Sequence, residues 1–87
     1  MMKVARTERF KKAYRKLAEH EKARVRKSIV QLLEDRHYPG LRVKRIKGTD
    51  SIWEMRAGRD IRLTFEIRED VYILRNVGHH DATLKRP

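Results

Sequence analysis

Ile52-Trp53-Glu54-Met55-Arg56-Ala57-Gly58-Arg59-Asp60-Ile61-Arg62-Leu63-Thr64-Phe65-Glu66-Ile67 is the stretch that decides how this chain folds. Ile61, Leu63, Phe65 and Ile67 alternate with polar residues without a break, which marks a strand buried on one face only. Trp53, Met55 and Ala57 alternate in the same way. A buried face must continue from one strand to its neighbour, so the two sets must share a side. That requires a loop with an odd number of residues. A three-residue loop at Gly58-Arg59-Asp60 pairs Ala57 with Ile61, Met55 with Leu63 and Trp53 with Phe65. The other face then sets Glu54 across from Thr64 and Arg56 across from Arg62. Two directly opposed arginines repel each other and weaken a sheet. An anion held between the two guanidinium groups removes the repulsion, and a phosphate matches their fork geometry.

Outward from this hairpin the chain continues as sheet on both sides. Arg68-Glu69-Asp70 reads as a tight turn, and residues 71–77 as a largely apolar strand suited to the middle of the sheet. Upstream, Gly48-Thr49-Asp50-Ser51 is a turn cluster, and residues 41–47 read as a strand whose alternation slips at Arg45-Ile46.

The first half has the helical period instead. Residues 2–6 form a short candidate edge strand. Thr7 offers an N-cap hydroxyl, and Glu8 places negative charge in the first turn, where the macrodipole favours it. Phe10, Ala13, Tyr14, Leu17 and Ala18 make one apolar stripe, and Val25, Ile29, Leu32 and Leu33 make a second. Glu19-His20-Glu21-Lys22 lies between them without Gly or Pro. Periodicity allows one long helix or two. A hairpin covers a small core better and is the expectation here. Tyr38-Pro39-Gly40 ends the helical half. The fold class expected is α+β, with an N-terminal strand and a helical hairpin packed on a twisted antiparallel sheet, in a single domain spanning 1–87.

Composition narrows the partners. The chain of 87 residues carries 23 Lys and Arg against 12 Asp and Glu, a formal charge of +11. Charge of that size works against compactness, and an anionic partner offsets it. RNA is the leading candidate. No apolar run approaches the ~20 residues that span a bilayer, and the first residues lack the apolar stretch of a signal peptide. No membrane role and a cytoplasmic location are expected. The absence of Cys excludes disulfides and thiolate chemistry. The Lys and Arg of the helices read first as a solvated surface.

The chemistry-bearing residues cluster late in the chain. The last strand runs into Gly78-His79-His80-Asp81, and His titrates near neutral pH. If this tail folds beside the open face, His79 or His80 reaches a phosphate held by Arg56 and Arg62, with Glu54 close by. A base, an acid and cationic clamps are what RNA cleavage by the 2′-hydroxyl requires. The candidate catalytic set is Arg62, Arg56, His80, His79 and Glu54, with Lys44, Arg45 and Lys47 as RNA-binding residues. No metal and no other cofactor is called for. A zinc set of His79, His80 and Asp81 has poor geometry, since adjacent residues on an extended segment point apart. There is no phosphate-cradling Gly-rich loop and no nucleophile elbow.

The order of elements resembles the RelE/ParE superfamily of toxin–antitoxin toxins. Four segments carry the resemblance: Leu41-Arg42-Val43-Lys44-Arg45-Ile46-Lys47-Gly48, Ile52-Trp53-Glu54-Met55-Arg56, Ile61-Arg62-Leu63-Thr64-Phe65 and Val77-Gly78-His79-His80-Asp81. It implies a RelE-like toxin that cuts mRNA in the ribosomal A site and arrests translation. It also implies a cognate acidic antitoxin that wraps and neutralises it in a hetero-oligomer. Arg62 matches the strand arginine that contacts the scissile phosphate in that family, and Arg56 and Glu54 match polar positions of the preceding strand. His80 stands where many members have a second arginine, and Leu84 where many have a tyrosine. Leu84 neither donates a proton nor stacks on a base, so acid and base duty passes to His79, His80 or Glu54. The resemblance leaves two alternatives: a ParE-like gyrase inhibitor without catalysis, and a catalytically weak RNA- or antitoxin-binding homologue.

Overall fold

The structure is a computed structural model that describes residues 1–87. Chain order is β1 (Lys3–Arg6), α1 (Glu8–Arg15), α2 (Glu19–Glu34), a 3-10 turn (Pro39–Leu41), β2 (Lys44–Arg45), β3 (Trp53–Arg56), β4 (Ile61–Arg68), β5 (Val71–His79) and α3 (His80–Lys85). The strands form one sheet in the order β1-β5-β4-β3-β2. From β2 to β5 every pairing is antiparallel, and β1 joins the β5 edge in parallel. The sheet is therefore mixed.

The helical half is a hairpin. Thr7 caps α1, its hydroxyl accepting from the Phe10 N–H at 3.1 Å and donating to the Leu74 carbonyl at 2.9 Å. That second bond ties the start of α1 to β5. The break between helices needs no Gly or Pro because the Glu21 carboxylate reaches back to accept from the Ala18 N–H at 2.9 Å. Ala18 has no side-chain acceptor, so only the Glu half of a capping box forms. Leu17 is buried in the break. On α2 the buried residues are Val25, Ser28 and Leu32, whereas Leu33 is 40% exposed and departs from the expected stripe. Ser28 is tolerated inside because its hydroxyl donates to the Arg24 carbonyl at 2.9 Å.

The register expected from parity is the register observed. Trp53 pairs with Phe65, Glu54 with Thr64, Met55 with Leu63 and Arg56 with Arg62. Met55, Leu63, Phe65 and Leu74 are wholly buried together with Phe10, Val25 and Leu32. The hairpin thus lies on the sheet face that carries the apolar residues.

Two expected elements differ. Residues 41–47 were expected as one strand, yet only Lys44–Arg45 pairs. Pro39-Gly40 starts a 3-10 turn, Leu41 plunges into the core, and Arg42 takes a left-handed conformation at φ +49°. An extended chain cannot begin until that bend is past. In β5 the register slips opposite Thr64-Phe65, so that Thr64 faces Asn76 while Phe65 faces Leu74. The bulge reverses the alternation along β5. Tyr72 and Leu74 point to the core before it, and Val77 points there after it.

Helix α3 packs on the opposite sheet face, against β4 and β5. Gly78 makes this approach feasible, because a Cβ there would lie 2.8 Å from the Thr83 Oγ1. The residues after α3 continue across the same face. Thr64 donates to the Pro87 carbonyl at 2.8 Å, and the Asn76 side-chain amide donates to the Arg86 carbonyl at 3.0 Å. What remains open on this face is the strip between α3 and β2.

Candidate active site

That strip holds a pocket of about 190 Å³ lined by Arg42, Lys44, Glu54, Arg56, Arg62 and His80, with no apolar residue among them. Each side chain arrives by a rule of local geometry. Arg56 and Arg62 are cross-strand partners, as are Lys44 and Glu54, so all four share one face. Arg42, at the left-handed turn just before β2, also lines the pocket. His80 enters from the first position of α3, where its backbone N–H donates to the Asp60 carbonyl at 2.9 Å.

The electrostatics are lopsided. Arg42, Lys44, Arg56 and Arg62 all lack a carboxylate within 4 Å, and so does His80 apart from its neighbour Asp81. Arg56 Nε donates to the Gly58 carbonyl at 3.4 Å, and Arg62 donates to the Ile61 carbonyl at 3.1 Å. Each bond uses one guanidinium nitrogen and leaves the other donors free. Glu54 is the single acid lining the pocket and is 8% exposed. Four cations around one carboxylate make a focused positive field. The His80 Nδ1 lies 2.9 Å from the Asp81 carboxylate, a hydrogen bond that holds the Asp81 carboxyl below its ordinary range.

The other sequence-predicted residues go elsewhere. His79 does not join the pocket. The β5 bulge turns it to the hairpin side, opposite Ile61. Its Nδ1 lies 3.1 Å from the Asp60 carboxylate and its Nε2 3.4 Å from the Glu21 carboxylate. Arg45 pairs with Trp53 and so shares the hairpin side of the sheet. Lys47 is exposed in the turn beyond β2. Of the three expected RNA-binding residues, only Lys44 lines the pocket. Arg42 is the residue that sequence reasoning left without a role. Its place depends on a left-handed backbone that alternation does not reveal. Leu84 is half-buried on α3 and lies outside the pocket lining.

His79 yields a direct prediction. The hydrogen bond to Asp60 holds its imidazole above the ordinary value; desolvation opposes this, and the Glu21 and Asp60 charges add to it. Carboxylates at both ring nitrogens suit the imidazolium, which donates from both. The contribution to stability is full below the unfolded-state value of about 6.5 and is lost as pH rises through the higher folded-state value. Asp60→Asn is expected to lower the His79 titration midpoint measured by NMR. An unchanged midpoint would show that Asp60 does not hold the charge.

Comparison with known proteins came to structure alone. No protein-family model matches the sequence, and no curated protein matches it. The toxin chain in the RelB–RelE antitoxin–toxin complex from Methanococcus jannaschii superposes with a TM-score of 0.76 at 21% identity, over 95% of this chain and 99% of that one. The Escherichia coli RelBE toxin–antitoxin complex gives 0.73 at 19% identity, over 93% and 99%. YafQ from E. coli BL21(DE3) gives 0.73 at 12% identity, over 95% and 98%. These superpositions, over nearly the whole of each chain, place this chain in the RelE fold.

Proposed function

We propose that this protein is the toxin of a toxin–antitoxin pair and acts as a ribosome-dependent, metal-independent mRNA endoribonuclease. The observation that carries the proposal is the all-polar pocket. It sets four unpaired cations around one carboxylate and one imidazole, on a sheet face that gains no stability from them. The fold adds support, since the similar structures include antitoxin–toxin complexes. A charge of +11 suits both an acidic antitoxin and ribosome-bound mRNA.

The reaction follows from the pocket's groups. Arg56 and Arg62 grip the non-bridging oxygens of the scissile phosphate. The ribose 2′-hydroxyl loses its proton to a base and its oxygen bonds to phosphorus. The bond from phosphorus to the 5′-oxygen breaks, and an acid gives that oxygen a proton. The products are a 2′,3′-cyclic phosphate and a free 5′-hydroxyl. Glu54 and His80 are the proton-carrying groups that line the pocket, and they divide these two transfers. Arginine charge stabilises the pentacovalent state as it forms. Every proton has a protein carrier, so the sequence of steps closes without a metal ion.

Mapping 5′ ends of cellular mRNA after induction tests this. New ends should appear within translated reading frames and should vanish when translation is blocked beforehand. Intact mRNA accompanied by a DNA damage response would contradict the proposal and favour a gyrase-binding toxin.

A further inference from the structure

The cationic lining does not stop at the edge of the sheet pocket. Arg42 and Arg56 also line a second groove of about 480 Å³ that runs between α2 and the β3–β4 loop. From α2 come Arg24, Lys27 and Gln31, spaced three and four residues apart and so on one helix face. No Asp or Glu lines this groove. Arg24 and Lys27 are exposed, and neither has a carboxylate within 4 Å.

The arrangement has a built element. The Arg24 side chain packs over Gly58, its Cδ 3.4 Å from the position a Cβ would take there. Gly58 has φ +149°, a conformation that L side chains rarely adopt, and its carbonyl accepts from the Arg56 Nε. One loop residue thus locates a guanidinium of the sheet pocket and the stem of a guanidinium on α2. Four cations in a connected row raise the self-repulsion of the folded chain. Elsewhere on the helices Lys11 is paired with Glu8 and Lys22 with Glu19. This row has no such relief.

We infer that the α2 groove is a second phosphate subsite, which takes the backbone of the single-stranded RNA flanking the scissile nucleotide. Arg42 and Arg56 join the two subsites, so that one strand passes from the sheet pocket along α2. This rests on the endoribonuclease reading above and extends it from the point of cleavage to the track that feeds it.

The test uses the full chain and 2′-O-methyl RNA oligonucleotides, which bind without being cut. Affinity for a 12-mer and a 3-mer is measured over a range of salt for wild type, Arg24→Ala/Lys27→Ala and a control, Arg15→Ala/Lys16→Ala, that removes equal charge from α1. Each single-strand phosphate contact contributes roughly 0.7 to the log–log salt slope. The α2 variant should lose about 1.4 of that slope. Its 12-mer affinity should fall roughly tenfold near 0.15 M salt, with 3-mer binding kept. Circular dichroism melting confirms that both variants fold. An unchanged slope, or an equal loss in the α1 control, overturns the inference while leaving the cleavage reading intact. Loss of antitoxin binding with an unchanged RNA slope also overturns it and assigns the groove to the protein partner. Wild type that binds neither oligonucleotide at low salt also overturns the inference, while the ribosome-dependent cleavage reading is decided by the mapping of mRNA ends.

Discussion

Arg62→Ala is expected to end mRNA cleavage and growth arrest while the protein stays folded. Arg62 lies opposite Arg56 and lines the pocket together with Glu54 and His80. If its guanidinium stabilises the charged transition state, removing it should lower the cleavage rate by about 10²–10³-fold, the range seen for a lost oxyanion donor. The stability effect should be small. The substitution deletes one of two like charges facing each other across the sheet, and no carboxylate loses a partner. A change within about 0.5 kcal/mol is expected, as for surface positions away from special features. The two readouts separate the roles. A folded but inactive variant supports a catalytic arginine, whereas a folded variant as toxic as wild type removes Arg62 from the mechanism. Arg62→Lys sharpens the result. It keeps the charge but not the planar fork, and should recover only part of the rate.

The second large effect concerns the sheet that holds these residues. Phe65 is 0% exposed, pairs with Trp53 across β3 and meets the Tyr72 ring edge-to-face at 5.5 Å. Phe65→Ala leaves a cavity at the centre of the core and should cost about 3–5 kcal/mol. For a domain of this size that shifts the thermal midpoint by roughly 15–30 °C. It also removes a large share of a total stability expected near 5–15 kcal/mol. Thermal unfolding followed by circular dichroism measures this. A shift of only a few degrees would show that the core around Phe65 is not packed as described. The site depends on this core directly, because Thr64 and Arg62 are placed on the open face only while Phe65 and Leu63 are fixed on the other.

Much of the fold could be read from parity. Between Ile52 and Ile67 the apolar residues occupy one parity on each strand, and a three-residue loop is the solution that joins them. The Arg56–Arg62 pair followed from that alone and is present. The helix start at Thr7 was legible for the same reason, since a hydroxyl and an acidic first turn have a local cause. The rest failed where the cause was not local. Along β5, Val71-Tyr72-Ile73-Leu74 is apolar at both parities, so no alternation marks the bulge at Leu74–Asn76. That bulge decides which of the two adjacent histidines lies on the pocket face. The break between α1 and α2 lacks Gly and Pro and depends on the Glu21 carboxylate bonding the Ala18 N–H. Arg42 entered the pocket through a left-handed turn at a residue type with no special preference for it.

The split between the two histidines has a functional consequence. His79 bridges the Asp60 and Glu21 carboxylates, and the same Asp60 accepts the His80 backbone N–H through its carbonyl. The residue expected to act in catalysis thus helps to anchor the start of α3, while His80 faces the cations. Leu84, the position that the family resemblance matches to a tyrosine, lies outside the pocket lining. In the proposed mechanism, proton transfer falls to Glu54 and His80, the two proton-carrying groups that line the pocket.

The central claim is that the Arg42–Lys44–Arg56–Arg62 pocket, with Glu54 and His80, cleaves RNA through the 2′-hydroxyl. The most direct measurement is the end chemistry of a defined mRNA cut by the purified protein on programmed ribosomes, beside the same mRNA with a single 2′-deoxy nucleotide at the cut position. The account predicts 2′,3′-cyclic phosphate and 5′-hydroxyl ends from the all-ribose mRNA, and no cut at the deoxy position. Cleavage that persists at the deoxy position, or ends bearing a 3′-hydroxyl and a 5′-phosphate, would contradict it.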